Sequence, residues 1–152
     1  MMRVIEKINL KELYEIDDYL WIQETVKLLK ETRFNELDLE NLIEELEDLG
    51  SEKKLAVQSL LQQIIRHLLL LEYWDTEYER NRNHWESEIF SFRTQINDRM
   101  TKNFHNYLRE NLPSIYQKSR KYVEKKSGLD TFPQICPYSL EQLLDEDWFP
   151  HQ

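Results

Sequence analysis

Apolar residues recur every three to four positions along most of this chain, and the longest such run sets its plan. Val57, Leu61, Ile64, Leu68 and Leu71 share one helical face, which Leu60, Ile65 and Leu69 widen. By Leu68 to Leu71 the segment is apolar nearly all round, the pattern of a helix covered by its neighbours. Gln62, Gln63, Arg66, His67 and Glu72 interrupt it too often for a membrane span. The run is predicted to be the central helix, ending near Trp74, of an all-α protein. The expected architecture is a compact helical bundle of five or six helices with an extended C-terminal tail that ends in a short helix.

Upstream, a helix is predicted from about Lys11 to Glu31, interrupted at Asp17-Asp18, where a carboxylate caps a restart. Trp21, Ile22, Thr25, Val26 and Leu29 share its face. Thr32 to Leu37 forms a polar link, and Asp38 caps a second helix. There Leu39, Leu42, Ile43, Leu46 and Leu49 make one stripe, opposite Glu40, Glu44, Glu45, Glu47 and Asp48. Gly50-Ser51 reads as a stop and a fresh N-cap, with one helix running through Gly50 as the alternative.

Downstream, Asp75 to Asn83 reads as a charged connection. Trp85, Ile89, Phe92, Ile96 and Met100 mark the next helix, and Phe104, Tyr107, Leu108 and Leu112 continue the pattern after a break near Lys102-Asn103. Pro113 predicts a kink or restart. The last long helix reaches Ser127-Gly128, a C-cap pair. In the tail, Ser139 and Gln142 form a capping box for a short helix from Leu140 to about Asp145. Phe132, Tyr138, Trp148 and Phe149 make the tail too apolar for a solvated strand of chain, so residues 128–152 are expected to lie on the bundle.

Composition agrees with this plan. Only 2 Gly and 4 Pro in 152 residues, with 32% charged side chains, favour long helices over a sheet with tight turns. The length suits one domain, 1–152. A lone Cys136 excludes an internal disulfide and a thiolate metal cluster, and fits a reducing, cytoplasmic setting. Met1 to Leu10 carries no signal-peptide core, so export is not expected.

Charge is unevenly placed. Residues 1–79 hold 9 basic and 19 acidic side chains, 80–126 hold 11 and 5, and 127–152 hold 0 and 5, for a net −9. Such a dipolar chain pairs its own helices or two subunits more readily than it binds a polyanion. A protein partner, a second copy of this chain included, is the expectation. Nucleic acid is disfavoured because the basic segment 80–126 lacks glycine-rich or aromatic-platform features, and no membrane and no cofactor are expected.

Several blocks in order carry a family resemblance. They are Asp38-Leu39-Glu40-Asn41-Leu42-Ile43-Glu44-Glu45-Leu46-Glu47-Asp48-Leu49-Gly50, then His67-Leu68-Leu69, then Trp85 with Ile89, Arg93 and Ile96, then Cys136-Pro137-Tyr138-Ser139-Leu140 through Asp147. Over about Tyr14 to Pro150 the chain resembles the prokaryotic family called domain of unknown function 29. The resemblance implies an all-helical fold and assigns no activity.

Candidate chemistry is sparse. Glu45 with Asp48 and Glu72 with Asp75 form two Glu-x-x-Asp pairs, the arrangement that holds Mg²⁺ in helical nucleotide pyrophosphohydrolases. At ~1.5 Å rise per residue they miss each other by roughly 25 Å in a hairpin about Gly50 and by about 40 Å on one straight helix. His67 shares a face with Leu60, Ile64, Leu71 and Trp74, so burial and a hydrogen-bonded partner are expected. In the hairpin, Asp38 comes within a turn or two of it, and a structural His–carboxylate pair is the favoured reading. A metal site or general base is the alternative, with Asp38, His67 and His84 as metal candidates and His105 as a further ligand. Arg93 beside the Trp85–Ile96 seam needs a carboxylate such as Glu44. Asp38, Glu44, His67 and Arg93 are thus the catalytic candidates of a metal-dependent hydrolase reading, which ranks below a binding or regulatory module. No His-Glu-x-x-His or Gly-x-Ser-x-Gly motif supports catalysis.

Overall fold

The computed structural model describes residues 9–150 and is all-α. Among the described residues there are six α-helices, one 3₁₀ turn and no strand. The helices are α1 (Leu10–Ile16), α2 (Asp18–Lys30), α3 (Leu39–Tyr73), α4 (Asp75–Arg99), α5 (Lys102–Ser127) and α6 (Leu140–Leu144), with the 3₁₀ turn at Phe34–Glu36. None is long and apolar enough to cross a membrane. The chain divides into two compact units, 1–52 and 53–152, and α3 contributes its first turns to one and the rest to the other.

In the first unit, Asn9 caps α1 and Asp17 restarts the chain as α2, its side chain accepting from the Leu20 N–H. Asp38 carries the start of α3, its carbonyl accepting from Leu42 N–H. Among the described residues of this unit the buried side chains are Leu13, Trp21, Thr25, Leu28 and Asp38. Tyr14 meets Trp21 edge-on at 5.0 Å.

Gly50 does not end a helix. The chain passes through it as one α3 of 35 residues. One glycine in a helix interior costs only about 1 kcal/mol, and no proline follows to enforce a stop. The hairpin about Gly50 is therefore not formed.

The second unit holds the large core. From α3, Val57, Leu61, Ile64, Ile65, Leu68, Leu69, Leu70 and Leu71 are buried, as the all-round apolar pattern requires. Trp85, Ile89 and Ile96 of α4 join them, with Leu108, Ile115, Tyr116 and Val123 of α5. Each fully buried aliphatic side chain contributes roughly 1.5–3 kcal/mol.

Two expectations fail in this unit. Asp75 to Asn83 is not a connection but the first two turns of α4, which starts directly after Trp74. The charges that suggested a loop form a solvated helix face, with Arg80 and Glu77 at 3.8 Å and Arg82 and Glu86 at 3.4 Å. Pro113 lies inside α5 without ending it. Its ring costs about 3 kcal/mol, offset by the buried row Leu108, Ile115, Tyr116, Ser119 and Val123. The break before α5 falls at Met100–Thr101, where Thr101 caps by accepting from Phe104 N–H.

Gly128 closes α5 in the left-handed conformation, φ +74°, with its N–H on the Glu124 carbonyl. The following tail is covered: Phe132, Tyr138, Leu140 and Leu143 are buried. Ser139 and Gln142 form the reciprocal capping box of α6.

Candidate functional site

The residues singled out by sequence each have local surroundings of their own. Asp38 is buried and works locally: Oδ2 accepts from the Trp21 indole N–H at 3.2 Å and from the Asn41 amide at 2.6 Å. Glu44 is exposed, and it is not Arg93's partner. His84 is exposed on α4. Among the described residues no three His, Cys, Asp or Glu side chains are grouped to hold a metal ion.

His67 is half-buried, and its partner is a backbone carbonyl instead of Asp38. Nδ1 lies 2.7 Å from Gln63 O. A carbonyl only accepts, so Nδ1 carries the proton. The ring tilts against Phe92 at 5.3 Å. Burial pushes its pKa below the ordinary value, opposed by the Gln63 carbonyl and Glu88. That environment favours a neutral, structural imidazole.

Arg93 is fully buried, and three carbonyls of the tail take the place expected for a carboxylate. Nε donates to Leu143 O at 2.9 Å, Nη2 to Gln142 O at 3.0 Å and Nη1 to Trp148 O. These acceptors belong to the C-terminal end of α6 and the turn beyond it, where unpaired carbonyls face out of a helix. Burial lowers the guanidinium's pKa, while Asp145, Asp147 and Glu146 hold it up. Phe149 covers the group at 5.2 Å. Nearby, Asn97 donates to Leu144 O, and Arg109 meets Glu141 at 2.6 Å. Arg93 clasps the tail, and it is structural.

The conspicuous surface feature lies wholly within the first unit. A groove of about 400 Å³ runs along α2 and the first turns of α3. Ile22, Val26 and Leu29 line one side and Leu42, Leu46 and Leu49 the other, each set at i, i+4, i+7. Buried Trp21 and Thr25 lie at its base. These aliphatics are not core: Ile22 is 45% exposed, Leu46 58% and Leu49 48%. The Thr25 hydroxyl is spent on Trp21 O at 2.7 Å. Glu45, Asp48 and Glu52 are the charged lining residues, and no lysine or arginine is among them. Glu45 accepts from the Tyr14 hydroxyl at 2.6 Å, which pushes that phenol's pKa up to about 12.

Both aliphatic stripes, and the carboxylates next to Leu46 and Leu49, are legible in the sequence as faces of their helices. Periodicity alone does not say whether such a face is covered.

Fold and site together define an all-α protein whose exposed chemistry is an apolar groove bordered by carboxylates. The chain belongs to the family described as domain of unknown function DUF29, whose model matches residues 13–149. Comparison with curated proteins and with solved structures gave no match.

Proposed function

We propose that this protein is a protein-binding module and that the groove of the first unit is its docking surface. One observation carries the reading: two facing rows of large aliphatic side chains remain in solvent within a single small unit. Contiguous exposed apolar surface of this kind characterises interaction sites. Helical spacing on both walls matches the groove used to seat an amphipathic helix. A small-molecule site would need convergent polar groups at its base, and the one hydroxyl there is already engaged. The bordering carboxylates oppose an anionic lipid surface or a nucleic acid backbone.

Site-specific photocrosslinking tests this. A crosslinker at Val26 or Leu46 is expected to join the chain in cells to a defined second protein, and the adduct should form again from the two purified components. A crosslinker at exposed Phe90 of α4 serves as control. Adducts that form equally at Phe90, or none at Val26 and Leu46, would overturn the reading.

A further inference from the structure

We infer that the occupant of the groove is a basic amphipathic helix of another protein, with aliphatic anchors on one face and Lys or Arg beside them. This rests on the docking reading above and adds the chemistry of the partner.

The spacing of the walls defines the anchors. Ile22, Val26 and Leu29 rise over about 10 Å, as do Leu42, Leu46 and Leu49, at ~1.5 Å per residue. A third helix laid between them presents side chains at i, i+3 or i+4, and i+7 to the same length.

The charge defines the flanks. Residues 1–52 contain 6 Lys and Arg against 15 Asp and Glu, a net −9, whereas residues 53–152 contain 14 of each and are neutral. The whole net charge of the chain thus belongs to the unit that bears the groove. Asp48 and Glu52 are exposed at its edge. A second copy of this unit seated on the first would set a −9 surface against a −9 surface, with Glu45, Asp48 and Glu52 of each copy facing like charges. Like-charge juxtaposition disfavours a partner, and opposite charge steers and retains one. A cationic helix meets both requirements, apolar and electrostatic.

The test uses the full chain and three fluorescent four-turn peptides, read by anisotropy. The first carries Leu at i, i+4, i+7 and i+11 with Lys and Arg elsewhere. The second has the same Leu positions with Glu elsewhere, and the third keeps the basic composition with the Leu residues scattered. The first peptide should bind at least ~10-fold tighter than either other, and progressively more weakly as salt screens the contact. Leu46→Asp should abolish binding; Leu46 is exposed, so this variant keeps its fold. The double variant Asp48→Lys with Glu52→Lys should reverse the preference toward the acidic peptide. Equal binding of basic and acidic peptides, both lost in Leu46→Asp, would overturn the cationic partner while leaving the docking groove in place. Self-association that Leu46→Asp removes would assign the groove to a second copy and overturn the inference. Binding of the basic peptide unchanged in the Lys double variant, or by the scattered peptide equally, would overturn it too. Failure of all three peptides also overturns it, and photocrosslinking at Val26 then judges the docking reading separately.

Discussion

The two units of this chain use the same kind of helix to opposite ends. In residues 53–152 the α3 side chains Val57, Leu61, Ile64, Ile65, Leu68, Leu69 and Leu70 are buried, with Leu60 half-buried and only Leu55, at the start, exposed. In residues 1–52 the same periodicity, on the same helix, leaves Ile43, Leu46 and Leu49 about half exposed. Charge divides the same way, with −9 in one unit and none net in the other. Hydrophobic periodicity fixes which face of a helix is apolar. Whether that face is core depends on whether enough chain is present to cover it.

The sharpest way to break the contrast is at Arg93. Arg93→Met removes three charge-assisted hydrogen bonds, leaving the Leu143 and Trp148 carbonyls without the guanidinium and Gln142 O with only the Asp145 N–H. Stability should fall by about 4 kcal/mol in urea denaturation. A loss under about 1 kcal/mol would mean that the tail is held by its apolar contacts and its other polar ones, Asn97 to Leu144 and Arg109 to Glu141 among them.

Paired truncations of α3 come next. Leu68→Ala, in the covered half, should cost about 3 kcal/mol through the cavity it leaves. Leu46→Ala, in the open half, should stay within about 0.5 kcal/mol. Similar costs at both positions would erase the distinction between the units.

Within the smaller unit, polar pairing supplies part of what the core lacks. Asp38→Ala frees the Trp21 indole N–H and removes a helix cap, and should cost about 1–2 kcal/mol. Near-UV circular dichroism should report the loosened indole.

A pH titration separates the units again. His67 has a lowered folded-state pKa, so between that value and the ordinary 6.5 the unfolded chain binds a proton that the folded chain does not. Its contribution is complete above about pH 6.5 and is lost as pH falls below it, with a slope of at most about 1.4 kcal/mol per pH unit. His67→Gln should remove that component of the acid limb.

The smallest effect is expected at Gly50. A Cβ there meets nothing within 4 Å. Gly50→Ala should raise stability by about 0.5–1 kcal/mol, read as a higher Tm. A decrease would show that the glycine serves flexibility within α3.

Helix identity was legible where the code is local. Asp17, Ser139 with Gln142, and Gly128 each mark an end through a cap that involves only its neighbours, whereas the break read near Lys102-Asn103 falls at Met100–Thr101. Gly50, Pro113 and the charged run after Trp74 misled for one shared reason. Each is a local signal worth a few kcal/mol or less. One glycine costs a helix only about 1 kcal/mol, charged residues suit a solvated helix face as well as a loop, and the buried row of α5 outweighs its proline. Arg93 was legible as a buried cation, but its acceptors are carbonyls some fifty positions away, and carbonyls leave no mark in sequence. The groove escaped because an apolar stripe looks the same whether covered or open.

Translation delivers Arg93 well before the groups that hold it. Gln142, Leu143 and Trp148 follow it by 49, 50 and 55 positions. At ~5–20 residues per second, the guanidinium waits roughly 3–10 s for its acceptors. Until they arrive, closing the seam around Ile89 and Ile96 would bury a cation with nothing to receive its protons. In the earlier unit the Trp21–Asp38 and Tyr14–Glu45 bonds span 17 and 31 positions, roughly 1–6 s at the same rate, and both partners are made by Glu45. A growing chain therefore has every groove residue, Trp21 through Glu52, synthesised before the acceptors that let its larger core shut around Arg93.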